Sequence, residues 1–146
     1  MVATPNHRPI VVVVAEDEPM VRALAVDALE EEGLVAIEAG HAIAALGICK
    51  ARAAEVDVLF TDIRMPGPMD GVELAHRVHD RWPAISIVIV SGNLCVPVGE
   101  LPAGARFLTK PYDMRRVVDL IRELHRAHQA GPRSRASCRV PDEELE

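Results

Sequence analysis

Val56-Asp57-Val58-Leu59-Phe60-Thr61-Asp62 runs directly into Ile63-Arg64-Met65-Pro66-Gly67. A short apolar run that ends at a carboxylate and breaks into a Pro/Gly loop reads as a buried strand leading to a turn. In open α/β sheets the carboxyl ends of the strands face the crevice where ligands bind. Asp62 therefore stands where chemistry is done in such folds. An earlier apolar run, 10–15, ends in the same way at Glu16-Asp17. Two strands that deliver carboxylates to one sheet edge suggest a metal site and a nucleophile.

Outward from 56–61 the pattern alternates. Residues 10–15 read as a strand, and Pro19 opens a helix with Val21, Leu24, Ala25, Ala28 and Leu29 at helical spacing and Gly33 at its end. Residues 34–38 are a short strand and 41–54 an Ala-rich helix. After the Pro/Gly loop, 72–81 form a helix with Leu74, Ala75 and Val78 on one face, ended by Pro83. Residues 85–90 are the purest β-branched run, and 105–109 a fifth strand. Met114, Val117, Val118, Ile121 and Leu124 stripe a last helix. Strand–helix alternation of this kind implies a doubly wound, five-stranded parallel sheet with helices on both faces and right-handed crossovers. The fourth crossover differs. Pro97, Pro102 and three glycines between Val90 and Ala105 leave its helix degenerate or missing, with at most one helical turn.

Composition agrees with this reading. The 146 residues are 49% apolar but only 3% aromatic, so the core is aliphatic, as a flanked parallel sheet prefers. The net charge of −6 speaks against a nucleic-acid surface. Cys49, Cys95 and Cys138, odd in number and widely spaced, fit reduced thiols in a cytoplasmic protein. No signal peptide or spanning segment is visible, so no membrane association is expected. The expected organisation is an N-terminal extension over 1–8, one domain over 9–126, and a disordered tail over 127–146.

Five positions fall at strand ends on the same edge: Glu16, Asp17, Asp62, Ser91 and Lys110. In the sheet order 2-1-3-4-5 the first and third strands are neighbours at the switch point, which brings Glu16, Asp17 and Asp62 together. Clustered carboxylates repel unless a cation neutralises them, and oxygen-only ligation suits Mg²⁺, or Mn²⁺ in its place. Asp62 is then a candidate nucleophile for a phosphoryl group, with Lys110 and Ser91 serving the phosphate oxygens. Singly these residues are ordinary: an acid after a strand is often a cap, and Ser91-Gly92 and Lys110-Pro111 are common strand exits. Their joint placement carries the reading.

The chain resembles the response-regulator receiver domains of two-component signalling from about Ile10 to Leu124. The matching motifs are Val14-Ala15-Glu16-Asp17-Glu18-Pro19, Thr61-Asp62-Ile63-Arg64-Met65-Pro66 with Asp70-Gly71, Val90-Ser91-Gly92, and Phe107-Leu108-Thr109-Lys110-Pro111. The resemblance implies a flavodoxin-like fold and Mg²⁺-dependent transfer of a phosphoryl group to Asp62 from a histidine kinase or phosphotransfer protein. It implies that Asp17 and Asp62 ligate the metal directly, that Glu16 acts through water, and that the backbone carbonyl of Arg64 completes the protein ligands. It also implies a Ser91/Phe107 switch and a cis Lys110–Pro111 peptide. On this view the protein is a phosphoacceptor rather than an enzyme, catalysing only its own phosphoryl transfer and slow dephosphorylation.

Two departures stand out: Glu16 replaces the more usual aspartate, and the degraded fourth helix belongs to the family's common output face. Arg64 and Asn93 flank the expected path of attacking water. With no room for a DNA-binding domain after the last helix, the expectation is a stand-alone receiver or the receiver of a hybrid histidine kinase, acting on a downstream protein partner. A non-phosphorylated scaffold has no use for the full set of site residues. A small-phosphoester phosphatase needs an acid where Arg64 stands, and a cap for which there is no insertion.

Overall fold

The computed structural model describes residues 8–92 and 98–129. Most of the expected N-terminal extension and tail lie outside these residues, as do Asn93, Cys95 and Cys138. The elements are β1 (Val11–Ala15), α1 (Pro19–Glu31), β2 (Val35–Ala39), α2 (Ala42–Ala51), β3 (Val58–Asp62), α3 (Gly71–Arg81), β4 (Ser86–Ser91), β5 (Arg106–Thr109) and α4 (Met114–Gln129). The five strands are all parallel, in the order β2-β1-β3-β4-β5.

Alternation along the strands divides the core in two. Val11, Val13, Leu59, Ile87 and Ile89 meet α2 and α3 through Ala42, Ala45, Leu74, Ala75 and Val78. Val12, Val14, Phe60, Val88 and Val90 meet α1 and α4 through Ala25, Leu29, Val117 and Ile121. Each fully buried aliphatic side chain contributes about 1.5–3 kcal/mol, so strands buried on both faces supply most of the stability.

Local chemistry explains the element boundaries. Pro19 sits in the first turn of α1, and Gly33, at a φ of 86°, ends it with its N–H donating to Glu30 O. His41 caps α2, its Nδ1 accepting from Ala44 N, and the Asp70 carboxylate caps α3 by accepting from Glu73 N. Two strands run one residue further than their apolar pattern: Asp62 and Ser91 belong to β3 and β4, because the ladder pairs Asp62 with Val90 and Ser91 with Thr109. α4 continues to Gln129, past the boundary expected at 126, since no breaker intervenes before Gly131-Pro132. Among the described residues, the crossover from β4 to β5 holds a single 3₁₀ turn, Val98–Glu100, fastened to α3 by a hydrogen bond between His76 Nε2 and Glu100 O (2.5 Å). Leu101, buried in the core against the α3 side of the sheet, fills space under it.

Candidate functional site

Asp62 closes β3 at the centre of the sheet and is 6% exposed. Its Oδ2 accepts a hydrogen bond from Lys110 Nζ at 2.6 Å, and its Oδ1 accepts from the Arg64 backbone N–H at 3.2 Å. The backbone beneath it is held as firmly. Thr61 Oγ1 donates to Asp62 O, and Gly71 N–H donates to Ile63 O. A methyl group at Gly71 would lie 2.0 Å from Asp62 O, so only glycine lets the start of α3 rest on this peptide.

Glu16 follows β1 and is also 6% exposed. Its Oε2 accepts from Glu18 N–H (3.0 Å), and its backbone N–H donates to Ala39 O (3.1 Å). Its carboxyl group meets that of Asp62 across the adjoining ends of β1 and β3. Burial, reinforced by the neighbouring Asp62, raises the Glu16 pKa to about 7 against the opposing Glu18 N–H and Lys110. Burial works against the charge of Lys110, but its bond to Asp62 and the nearby Glu16 carry the balance upward, and it stays an ammonium.

Asp17 is half-exposed and lines a separate open cleft with Ile63, Arg64, Met65, Pro66 and Asp70. The three acids thus do not close into one cage: among the described residues, no three His, Cys, Asp or Glu side chains are arranged to hold a metal. The donor chemistry still fits a hard divalent ion. Two buried carboxylates in contact, one with a strongly raised pKa, are the arrangement such an ion relieves, and Mg²⁺ needs only one or two protein carboxylates beside water.

Ser91 is 2% exposed at the end of β4, and its carbonyl accepts from Lys110 N–H at 2.8 Å, which ties Lys110 to the site. Strand alternation puts Ser91 and Phe107 on the same sheet face, where Phe107 is half-buried against the core. The Lys110–Pro111 peptide is cis. Tyr112, which the sequence reading did not single out, packs edge-on against Phe60 with ring centroids 6.0 Å apart. With Glu16, Asp62 and Phe60 it lines a small cavity behind the acids. Its position as the chain's single tyrosine, just after Lys110-Pro111, was the available signal.

The response regulator receiver domain family matches residues 12–122 of this sequence. The chain belongs to that family. The receiver domain is 34% identical over 116 residues to the sensor kinase CckA of Brucella abortus, covering 77% of this chain but 12% of the kinase. It is 31% identical to the response regulator receiver protein CpdR of the same organism, covering 79% of this chain and 93% of that protein. A receiver domain protein from Clostridium thermocellum superimposes with a TM-score of 0.77 at 21% identity, over 83% of this chain and 98% of that one, which shows the shared fold. The receiver domain thus spans a small part of one curated relative and nearly all of another. Its family is a signalling module of two-component systems. No described helix is long and apolar enough to cross a membrane.

Proposed function

We propose that this receiver domain accepts a phosphoryl group on Asp62 from the phosphohistidine of a histidine kinase or phosphotransfer protein, and passes the signal to a protein partner. One observation carries the reading: a carboxylate almost wholly buried at the end of the central strand, with a lysine ammonium 2.6 Å from one oxygen. In the transfer, a carboxylate oxygen of Asp62 attacks phosphorus, the phosphorus–nitrogen bond to the imidazole breaks, and the imidazole leaves with the bonding pair. Lys110 then turns from the carboxylate to a phosphoryl oxygen, and the Ser91 hydroxyl donates to another. Mg²⁺, or Mn²⁺, held by Asp17 and Asp62 with Glu16 through water and the Arg64 carbonyl, would neutralise charge on the phosphoryl oxygens. Drawing Ser91 inward frees space on its sheet face for Phe107, which couples the site to the β4–β5 surface. Met20 and Leu24, one turn apart on α1 and 71% and 66% exposed, offer the donor protein an apolar foothold. The module acts in the cytoplasm as a phosphoacceptor and turns over no separate substrate.

The test is intact mass spectrometry after incubation with Mg²⁺ and a small phosphodonor. A single base-labile phosphoryl adduct, absent from Asp62→Asn, is expected. No adduct, or one that survives the substitution, overturns the reading.

A further inference from the structure

Glu16 and Asp17 are joined by one peptide plane, and the orientation of that plane decides where both acids point. Arg22, one turn into α1, reaches back to it: Nη1 donates to Glu16 O at 2.8 Å, while Nε donates to Glu38 Oε1 at 3.1 Å. The guanidinium lies over Gly40, where an added methyl would stand 3.3 Å from Nη1, so the β2–α2 turn leaves the room it occupies. The Arg22 side chain is 20% exposed, whereas Glu38 is 55% exposed. The carbonyl bond is the sheltered half of this arrangement, and the ion pair is the solvent-screened half.

We propose that Arg22 is a positioning residue for the acid pair: by bonding the Glu16–Asp17 carbonyl it holds Asp17 toward the cleft and Glu16 toward Asp62. The peptide nitrogen of Glu16 is already bonded to Ala39 O, and its carboxylate to Glu18 N–H. Glu16 O belongs to the peptide plane that joins the two acids, and Arg22 Nη1 is the side-chain donor that holds it. A planar, forked guanidinium can serve this carbonyl and Glu38 together, which a single ammonium does less well. The inference rests on the proposed Mg²⁺-dependent reading of the site, because positioning Asp17 matters only if Asp17 binds a cation.

Mg²⁺ titration by calorimetry, with thermal unfolding in parallel, tests it on wild type, Arg22→Met, Arg22→Lys and Glu38→Gln. Arg22→Met should weaken Mg²⁺ binding about tenfold or more, the usual cost of losing a partner that orients a ligand. Arg22→Lys should recover part of that loss, and Glu38→Gln should bind nearly as wild type. With a small phosphodonor, the half-saturating Mg²⁺ concentration for Asp62 phosphorylation should rise in Arg22→Met while the rate at saturating Mg²⁺ is kept. Unchanged Mg²⁺ affinity in a folded Arg22→Met or Arg22→Lys protein, or an equal loss in Glu38→Gln, overturns the role of Arg22 alone. Failure of the wild type itself to bind Mg²⁺ overturns this role together with the reading it rests on.

Discussion

β3 and β5 are parallel strands of one sheet, and each carries one of the chain's two phenylalanines. All five residues of β3 are buried, Phe60 is 3% exposed, and its ring is met edge-on by Tyr112. β5 lies at the sheet edge, is one residue shorter, and has no fully buried residue; Phe107 is half-buried on the opposite face. The site spans both: Asp62 ends the first strand and Lys110 follows the second. Under the proposed function, the difference teaches how a phosphoacceptor and its reporter would divide one sheet. The attacking group needs a fixed position, because a displacement of about 1 Å costs on the order of a hundredfold in rate. A reporter needs two arrangements of similar energy, which an incompletely packed edge strand allows.

The most forceful way to break this contrast is to disturb the seat of Asp62. Gly71→Ala places a methyl against Asp62 O, so α3 or the β3 terminus must shift. Unfolding in urea should show a loss of about 3 kcal/mol. Asp62 phosphorylation by a small phosphodonor should fall about a hundredfold. A variant with normal stability and rate would mean that the end of β3 is not rigid.

Glu16 sharpens the contrast through pH. Because its folded-state pKa lies near 7 against 4.5 for the unconstrained group, its contribution to stability is complete below about pH 4.5 and is lost as pH rises through 7. In divalent-free buffer, Glu16→Gln should therefore match wild type near pH 4 and exceed it by about 1–2 kcal/mol at pH 8. A stability difference that does not change with pH would show that neither burial nor the neighbouring Asp62 raises the Glu16 pKa.

The smallest effect is expected on the edge strand. Phe107→Leu should cost under about 1 kcal/mol and leave Asp62 phosphorylation within about twofold, being a half-exposed apolar exchange. Phe60→Leu, which also loses the edge contact with Tyr112, should cost about 1 kcal/mol more. Equal costs would erase the distinction between the strands.

The strand ends and helix starts were legible because each depends on neighbours in sequence: an apolar run meeting an acid, Pro19 opening α1, prolines and glycines breaking the fourth crossover. Pairing of the acids followed from one topological rule, that the first and third strands adjoin. What escaped were contacts between distant segments. Asp57, an apparent blemish in an apolar run, accepts from the Val11 N–H at the mouth of β1 and pairs with Arg8 through both oxygens. The helical pattern of 19–31 gives Arg22 no role, and Gly71 stands only as part of a motif, because nothing nearby in sequence records what lies against them. That Asp17 lines the cleft with Arg64, apart from the Glu16–Asp62 contact, was likewise hidden, since strand placement fixes the backbone but not the turn that aims each side chain.

The alternation of parallel strands with returning helices has an architectural consequence. β1 begins, and α4 ends, at the edge of the sheet opposite Asp62; there Arg122 of α4 donates to Glu32 O, just past the end of α1. A five-residue strand separates the two edges by about 17 Å. The two ends of the described fold therefore lie on the far side of the sheet, away from Asp62 and Lys110.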